Sequence, residues 1–338
     1  MSSADEVVIG AGVVGAAIAD QLTRAGLRVT VIESAFAGAG STGAAMGHLV
    51  VMDDSVAQLR LCHLSRMRWQ HLFADLPVTA EAARTGTLWL AATDDEFAAA
   101  RDKVERFRRE GVAAELLDAS QLADAEPALG PGLVGALRVP DDWVCYPPAI
   151  ARALLERAVQ GGATIRRGHA VELVTGGVQL ADGSVVAGGA TVVAAGAQSP
   201  ALIGGLPVMP RRGHLVITDR QPVRIHHQLV ELGYLHTAHT LGGASVAFNV
   251  QPRRTGQLLI GSSRELVGFD AAINRPLVAK MLQRAVAFVP GLAVAPLSRT
   301  WVGFRPATPD ALPLIGRWPA RPDTWIATLA SGRSIEKL

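Results

Sequence analysis

Hydrophobic positions change their period along this chain, and the changes divide it into elements. Val7-Val8-Ile9 is a short, all-apolar run ending in glycine, the pattern of a central parallel strand covered on both faces. Ala16 to Ala25 predicts a small-residue helix stopped by Gly26, and Val29 to Ile32 the next strand. A Gly/Ser/Ala-rich passage, Gly38 to Gly47, leads into a more polar helical segment from about Ser55 to Leu72. Gly86 to Ala92 reads as a strand. Asp94 and Asp95 cap a helix in which Phe97, Val104 and Phe107 recur at helical spacing up to Gly111. Pro147-Pro148 opens a helix over Ala149 to Gln160, closed by Gly161-Gly162. Strands follow between Thr164 and Ala195, with Asp182-Gly183 as a hairpin turn. Val208 to Ser263 reads as strand after strand. Pro276 to Val289 is a helix stopped by Pro290-Gly291.

The fold class expected from this order is α/β. A Rossmann-like nucleotide-binding domain is interwoven with a smaller α+β substrate domain built on a mostly antiparallel sheet. The expected division assigns residues 1–85, 145–209 and 297–338 to the first domain, and 86–144 and 210–296 to the second. No internal repeat or low-complexity linker interrupts it.

Composition narrows the function classes. With 338 residues, 49% hydrophobic and 18% charged, the chain has ample apolar surface for a large core, which disorder would lack. A net charge of +2 with no basic tract argues against nucleic acid as a partner. Cys62 and Cys145 form no framework and no CxxC pair, as in a reduced cytoplasmic protein. The N-terminus carries Asp5 and Glu6 and runs into an apolar strand, without the layout of a signal peptide. The long uncharged stretch Ser184 to Pro210 is broken by glycines and by Pro200 and Pro207, so no membrane span is expected. The expected location is the cytoplasm, in solution or peripheral to the inner membrane.

The first chemistry-bearing motif is Gly10-Ala-Gly12-Val13-Val14-Gly15, a GxGxxG with a strand before it and a helix after it. Gly10 permits the tight turn, Gly12 lets a pyrophosphate approach the backbone, and Gly15 lets helix pack on strand. The helix N-terminus, at Val13 and Val14, supplies unpaired N–H groups and partial positive charge. Glu33 ends the second strand, where a carboxylate can accept hydrogen bonds from ribose hydroxyls and repel a 2′-phosphate. The fingerprint alone leaves NAD and FAD both open. Two further segments add to it. Ser41-Thr42-Gly-Ala-Ala-Met46-Gly47 offers hydroxyls and bare backbone to a second loop, and Thr191 to Ser199 is a buried strand ending in a turn at Ala195-Gly196.

With these segments the sequence resembles the D-amino-acid oxidase superfamily of FAD-dependent oxidoreductases, which includes glycine oxidase, sarcosine oxidase and the D-amino-acid dehydrogenases. The resemblance runs in order through Val7 to Glu33, Ser41 to Gly47, Leu117-Asp118 with Glu126-Pro127, Pro147 and its helix, Ala190 to Pro200, Arg212-Gly213-His214, and Gly303 to Gly316. It implies that Gly10, Gly12, Gly15 and Glu33 hold the ADP half of FAD, with Val171 reaching the adenine through its backbone. Ser41, Thr42 and Gly47 would line the pyrophosphate and ring. Relatives with covalent flavin attach it through a cysteine near the C-terminal motif. None follows Cys145 here, so non-covalent FAD is implied.

The resemblance further implies oxidation of a small D-amino or cyclic imino acid, by hydride transfer from the carbon beside the amine to flavin N5. Oxygen or a respiratory acceptor would reoxidise the flavin. Arg305 matches the family's carboxylate-binding arginine, whose planar fork makes two parallel charge-assisted bonds. Read without its motif, Arg305 is better explained as an ordinary ion pair, for instance with Asp310, and the motif reverses that reading. Tyr234 and His236, two apart in a strand-like stretch, should share one face and close the pocket, and His48 should lie near the ring. His226, His227, His236 and His239 match no metal-ligand spacing, so no metal is expected. Likeness around Met46 to Asp54 points towards D-proline or D-hydroxyproline.

The chain departs from the family pattern after the strand Trp325 to Thr328. Leu329 to Leu338 carries neither the glycine-histidine pair nor the long helix that aims its N-terminus at the flavin. This departure bears on flavin affinity and turnover. Two alternatives follow: an FAD-binding subunit of a hetero-oligomeric dehydrogenase, inactive alone, and an NAD-linked dehydrogenase. Either a homo- or a hetero-oligomer suits the composition.

Overall fold

A computed structural model describes residues 4–53, 55–233 and 244–328 of the chain. The opening apolar run becomes β1 (Ala4–Ile9), followed by α1 (Val13–Arg24) and β2 (Val29–Glu33). The glycine-rich passage holds one turn of helix, α2 (Gly40–Gly43), and the short strand β3 (His48–Leu49). Next comes α3 (Val56–Phe73), capped where the Ser55 side chain accepts the Gln58 N–H. β4 (Thr87–Ala91), α4 (Asp94–Arg109), β5 (Glu115–Asp118), α5 (Ala119–Ala125) and β6 (Gly135–Val139) make the first excursion into a second layer.

After β7 (Trp143–Val144), α6 (Pro147–Gln160) starts on its prolines, whose missing N–H groups cost nothing at a helix start. β8 (Thr164–Arg167), β9 (Ala170–Val174), β10 (Gly177–Leu180) and β11 (Val185–Val193) bring the chain back, and α7 (Ser199–Leu202) follows. β12 (Met209–Thr218), β13 (Gln228–Glu231), β14 (Ser245–Pro252) and β15 (Leu258–Arg264) lead to α8 (Arg275–Phe288). β16 (Leu297–Ala307), β17 (Leu314–Arg317) and β18 (Thr324–Thr328) complete the described chain.

Two large sheets result. In the first, the order is β17-β18-β11-β1-β2-β8, parallel throughout except for the antiparallel edge β17. β10 and β9 extend β11 as an antiparallel meander. β1 is central, which is why Val7 and Val8 are fully buried and a purely apolar run is needed there. The second sheet runs β16-β12-β15-β14-β13-β4-β6-β5 and is antiparallel except where β13 meets β4. Its outer face packs on α8, where Phe248 and Phe288 stack with centroids 4.2 Å apart.

Sequence had grouped residues 297–307 with the nucleotide-binding segments. Here β16 pairs with β12 along its whole length, from Met209 opposite Ala307 to Thr218 opposite Leu297. The chain re-enters the first sheet only at β17. That partnership joins residues 79 to 98 positions apart and leaves no mark on the hydrophobic period. Among the described residues no helix is long and apolar enough to cross a membrane.

Candidate cofactor and substrate site

The first sheet ends in a cradle made of glycines. Gly10 sits at φ 104°, and a Cβ there would lie 2.6 Å from the Ala194 carbonyl oxygen, so both conformation and room demand glycine. At Gly15 a Cβ would overlap the Gly10 carbonyl, which fixes how closely α1 approaches β1. The N-terminus of α1 has no side-chain cap and no acid in its first turn. Its Val13 N–H donates to Thr42 Oγ1 at 3.0 Å, which brings the second loop against the first. Glu33 closes the turn. One carboxylate oxygen accepts the Ala11 N–H at 2.8 Å and the other the Ala35 N–H at 2.7 Å.

The loop at residues 41–47 is pinned from the other layer. Ser41 donates to the Phe304 carbonyl at 2.6 Å, and the Trp301 indole donates to the Ala44 carbonyl at 3.3 Å. Gly47, at φ 98°, gives its carbonyl to the Cys145 N–H at 2.8 Å. Between cradle, loop and second sheet lies a cavity of about 1260 Å³, counting its open mouth. Of the residues singled out by sequence, Gly12, Val13, Val14, Ser41, Thr42, Gly47, His48, Gly196 and Arg305 line it. Gly10, Gly15, Glu33 and Ala195 are not among the residues that line it. Val171 lies apart from it, 44% exposed on β9. Tyr234, His236 and His239 fall outside the described residues, as does the segment 329–338.

Arg305 reaches the cavity from β16. Its Nη1 donates to the Ser263 carbonyl at 3.2 Å, and no acid among the described residues pairs with it. Asp310 is not its partner; that carboxylate accepts the Leu312 N–H instead. Burial, together with the charge of Arg211 directly across the strands, pushes the Arg305 guanidinium down to about 10. His48 is 7% exposed and its Nε2 is buried without a hydrogen-bond partner among the described residues. Burial first, and the Arg305 charge second, bring the imidazole down to about 3, so it is neutral. His226 and His227 both turn to the buried Glu126, with Nδ1 at 3.3 and 3.1 Å.

A family model described as FAD dependent oxidoreductase (DAO) matches residues 5–336. The chain belongs to this family. Its cofactor is therefore FAD, and the NAD-linked dehydrogenase that the glycine fingerprint left open is set aside. Among curated proteins, the hydrogen cyanide synthase subunit HcnC of Pseudomonas aeruginosa is 29% identical, over 92% of this chain and 84% of its own length. The glycine oxidase of Geobacillus kaustophilus is 28% identical, over 96% and 86%. The crystal structure of that glycine oxidase superposes with a TM-score of 0.87, covering 97% of this chain and 90% of the other at 26% identity. L-proline dehydrogenase from P. horikoshii shares the fold, with a TM-score of 0.88, 99% and 90% coverage and 24% identity.

The residues present fit FAD. A twelve-residue helix without a side-chain N-cap and with glycines at its start suits an anion, and the bare backbone there leaves room for a pyrophosphate. Both cysteines are buried and neither lines the cavity. The cavity is also lined by Val50 and Met52, within the stretch Met46 to Asp54 that the sequence had marked, and by Trp89, Val230 and the polar Asn249, which sequence reasoning missed. Trp89 and Val230 come from neighbouring strands of the second sheet, and which face of such strands looks at the cofactor is not written in their apolar runs. Gly213 and Gly303 also line the wall. Arg212-Gly213-His214 and Gly303 to Gly316 did carry that signal, since a glycine within a strand marks close approach.

Proposed function

We propose that this FAD-dependent oxidoreductase oxidises a small amino or cyclic imino acid at the carbon beside its nitrogen. The observation that carries this reading is Arg305: a guanidinium on the cavity wall, desolvated, with no acidic partner among the described residues. A half-buried cation with no acidic counter-charge among the described residues attracts an anion, and a substrate carboxylate there would be fixed with its α-carbon. Bound FAD supplies the acceptor for the hydride leaving that carbon. The chain's own residues do the rest. Gly10, Gly12, Gly15 and the α1 N-terminus would hold the ADP half, with Glu33 for the ribose and Val171 for the adenine. Ser41, Thr42, Gly47, Ala195 and Gly196 would line the pyrophosphate and ring, and the FAD would be non-covalent.

Neutral His48 presents a hydrogen-bonding ring beside the arginine without adding charge, which suits a substrate nitrogen that must be deprotonated before oxidation. Val50, Met52, Trp89 and Val230 exclude water from the far end and favour a compact apolar side chain or ring, as in D-proline or D-hydroxyproline. The named relatives act on small substrates of this kind, glycine in one and L-proline in another. A cytoplasmic enzyme reoxidised by oxygen or a respiratory acceptor follows from this reading. The test is a panel of D- and L-amino and imino acids on the FAD-loaded protein without oxygen, followed by loss of the oxidised flavin absorbance. Bleaching by a small imino or D-amino acid is expected, and a panel that leaves the colour intact would reject the proposal for the lone chain.

One relative is named as a subunit, which favours a second reading: an FAD-carrying subunit that turns over only with its partners. Bleaching without sustained turnover to an artificial acceptor would support it.

A further inference from the structure

The wall that carries Arg305 is built in an unusual way. On β12 and β16, Arg211 faces Arg305 and Gly213 faces Gly303, so these four residues share one side of the sheet. A Cβ on Gly213 would overlap Nη1 of Arg305 and lie 2.7 Å from Cζ and 2.9 Å from Nη2. Gly213 does not occupy the left-handed region, so its backbone would accept any residue. The glycine is there for room alone. The guanidinium lies over it, and its bond to the Ser263 carbonyl is its one side-chain hydrogen bond among the described residues.

Behind this surface is a buried relay of hydrogen bonds. The Ser263 carbonyl accepts from Arg305, and the Ser263 hydroxyl meets both the His214 N–H at 2.9 Å and His214 Nδ1 at 2.8 Å. Both residues are completely buried. His214 Nε2 accepts the Asn274 N–H at 3.0 Å, so the ring proton is on Nδ1 and points at Ser263. Asn274 is itself the N-cap of α8 and donates to Glu265 at 2.8 Å, while Glu265 and Asp270 engage the neighbouring Arg212. Arg212 is thus paired with two acids, whereas Arg305 is held among the described residues by one neutral carbonyl.

We infer that Gly213 and His214 are positioning residues that aim the Arg305 fork into the cavity, Gly213 by leaving it a path and His214 by fixing Ser263. This rests on the reading of Arg305 as the carboxylate receptor. A neutral carbonyl anchor orients the cation without cancelling its charge, whereas an acid in the same place would compete with the substrate.

The experiment is a double-mutant cycle on FAD-loaded protein, with propionate titrated as the probe and the flavin spectrum as the readout. Gly213→Ala should weaken propionate by about tenfold or more with flavin content unchanged. In an Arg305→Lys background the same change should cost less than about threefold, because the flexible lysine stem can move aside. Equal losses in both backgrounds would overturn the inference, since a merely structural effect of Gly213 is indifferent to the residue at 305. Should Gly213→Ala fail to hold flavin, His214→Phe decides: weaker propionate at normal flavin content supports the relay, and unchanged affinity sinks it. Arg305→Ala separates the two levels. If that variant binds propionate normally, the carboxylate reading falls and the positioning role with it.

Discussion

His48 offers a measurable consequence of desolvation. The ring is 7% exposed, makes no side-chain hydrogen bond to a described residue, and faces the Arg305 charge. Its folded-state value lies near 3, below the ordinary 6.5, so the unfolded chain binds a proton that the folded chain refuses. The contribution to stability is complete above pH 6.5 and is lost as the pH falls towards 3. At pH 5 the loss from this one group is roughly 2 kcal/mol. His48→Leu removes the titration and keeps an apolar side chain in place. Urea unfolding of both proteins at pH 7 and pH 5 should therefore show a difference in stability that shifts by about that amount in favour of the variant at the lower pH. Other titrating groups are common to both proteins and cancel. The carbon shifts of ring-labelled histidine give an independent check: one ring, absent from the variant, should stay neutral down to about pH 4. A difference that stays constant between the two pH values would falsify the claim that the folded protein holds this imidazole uncharged.

Other perturbations probe separate parts of the site. Arg305→Ala should raise KM for carboxylate substrates by an amount worth about 2–5 kcal/mol, measured by steady-state kinetics, with little effect on bound flavin. A KM within a factor of about two of wild type would remove this residue from substrate binding. Gly15→Val drives a side chain into the Gly10 carbonyl, and purified protein should come out nearly colourless while its circular dichroism remains that of a folded α/β chain; full flavin occupancy would contradict the cradle. Arg66→Met strips the buried Asp142 of its partner at 3.3 Å. Burial already lifts that carboxyl to about 7, so the variant should lose about 3–5 kcal/mol at pH 8 and clearly less at pH 5.5, where the acid carries its proton. Equal losses at the two pH values would show that Asp142 is ionised in both.

The parts of the site that could be read from sequence are those whose physics is local. Gly10, Gly12 and Gly15 sit within one turn, between a strand and a helix that their own periodicity announces. Their demands on φ and on space follow from that short context alone. Arg305 was marked by the segment around it, but its freedom from Asp310 was not, because that depends on where the turn after β16 sends the acid. Glu33 shows the same limit. Its place at the end of β2 was legible, while its two backbone partners, Ala11 and Ala35, were not.

What the amino-acid order determined was many of the longer elements, the glycine cradle, and the family's spacing of motifs from Val7 to Gly316, while the short elements between Gly111 and Pro147 went unread. These depend on neighbours a few residues apart, where propensity, period and capping act. The tertiary structure alone decided the other wall. It paired β16 with β12, laid Arg305 over Gly213, and brought Trp89 and Met52 to one cavity with His48. Strand pairing and sheet facing join residues tens to hundreds of positions apart. A backbone hydrogen bond is the same for any residue pair, so register leaves no local signature until the two layers are packed.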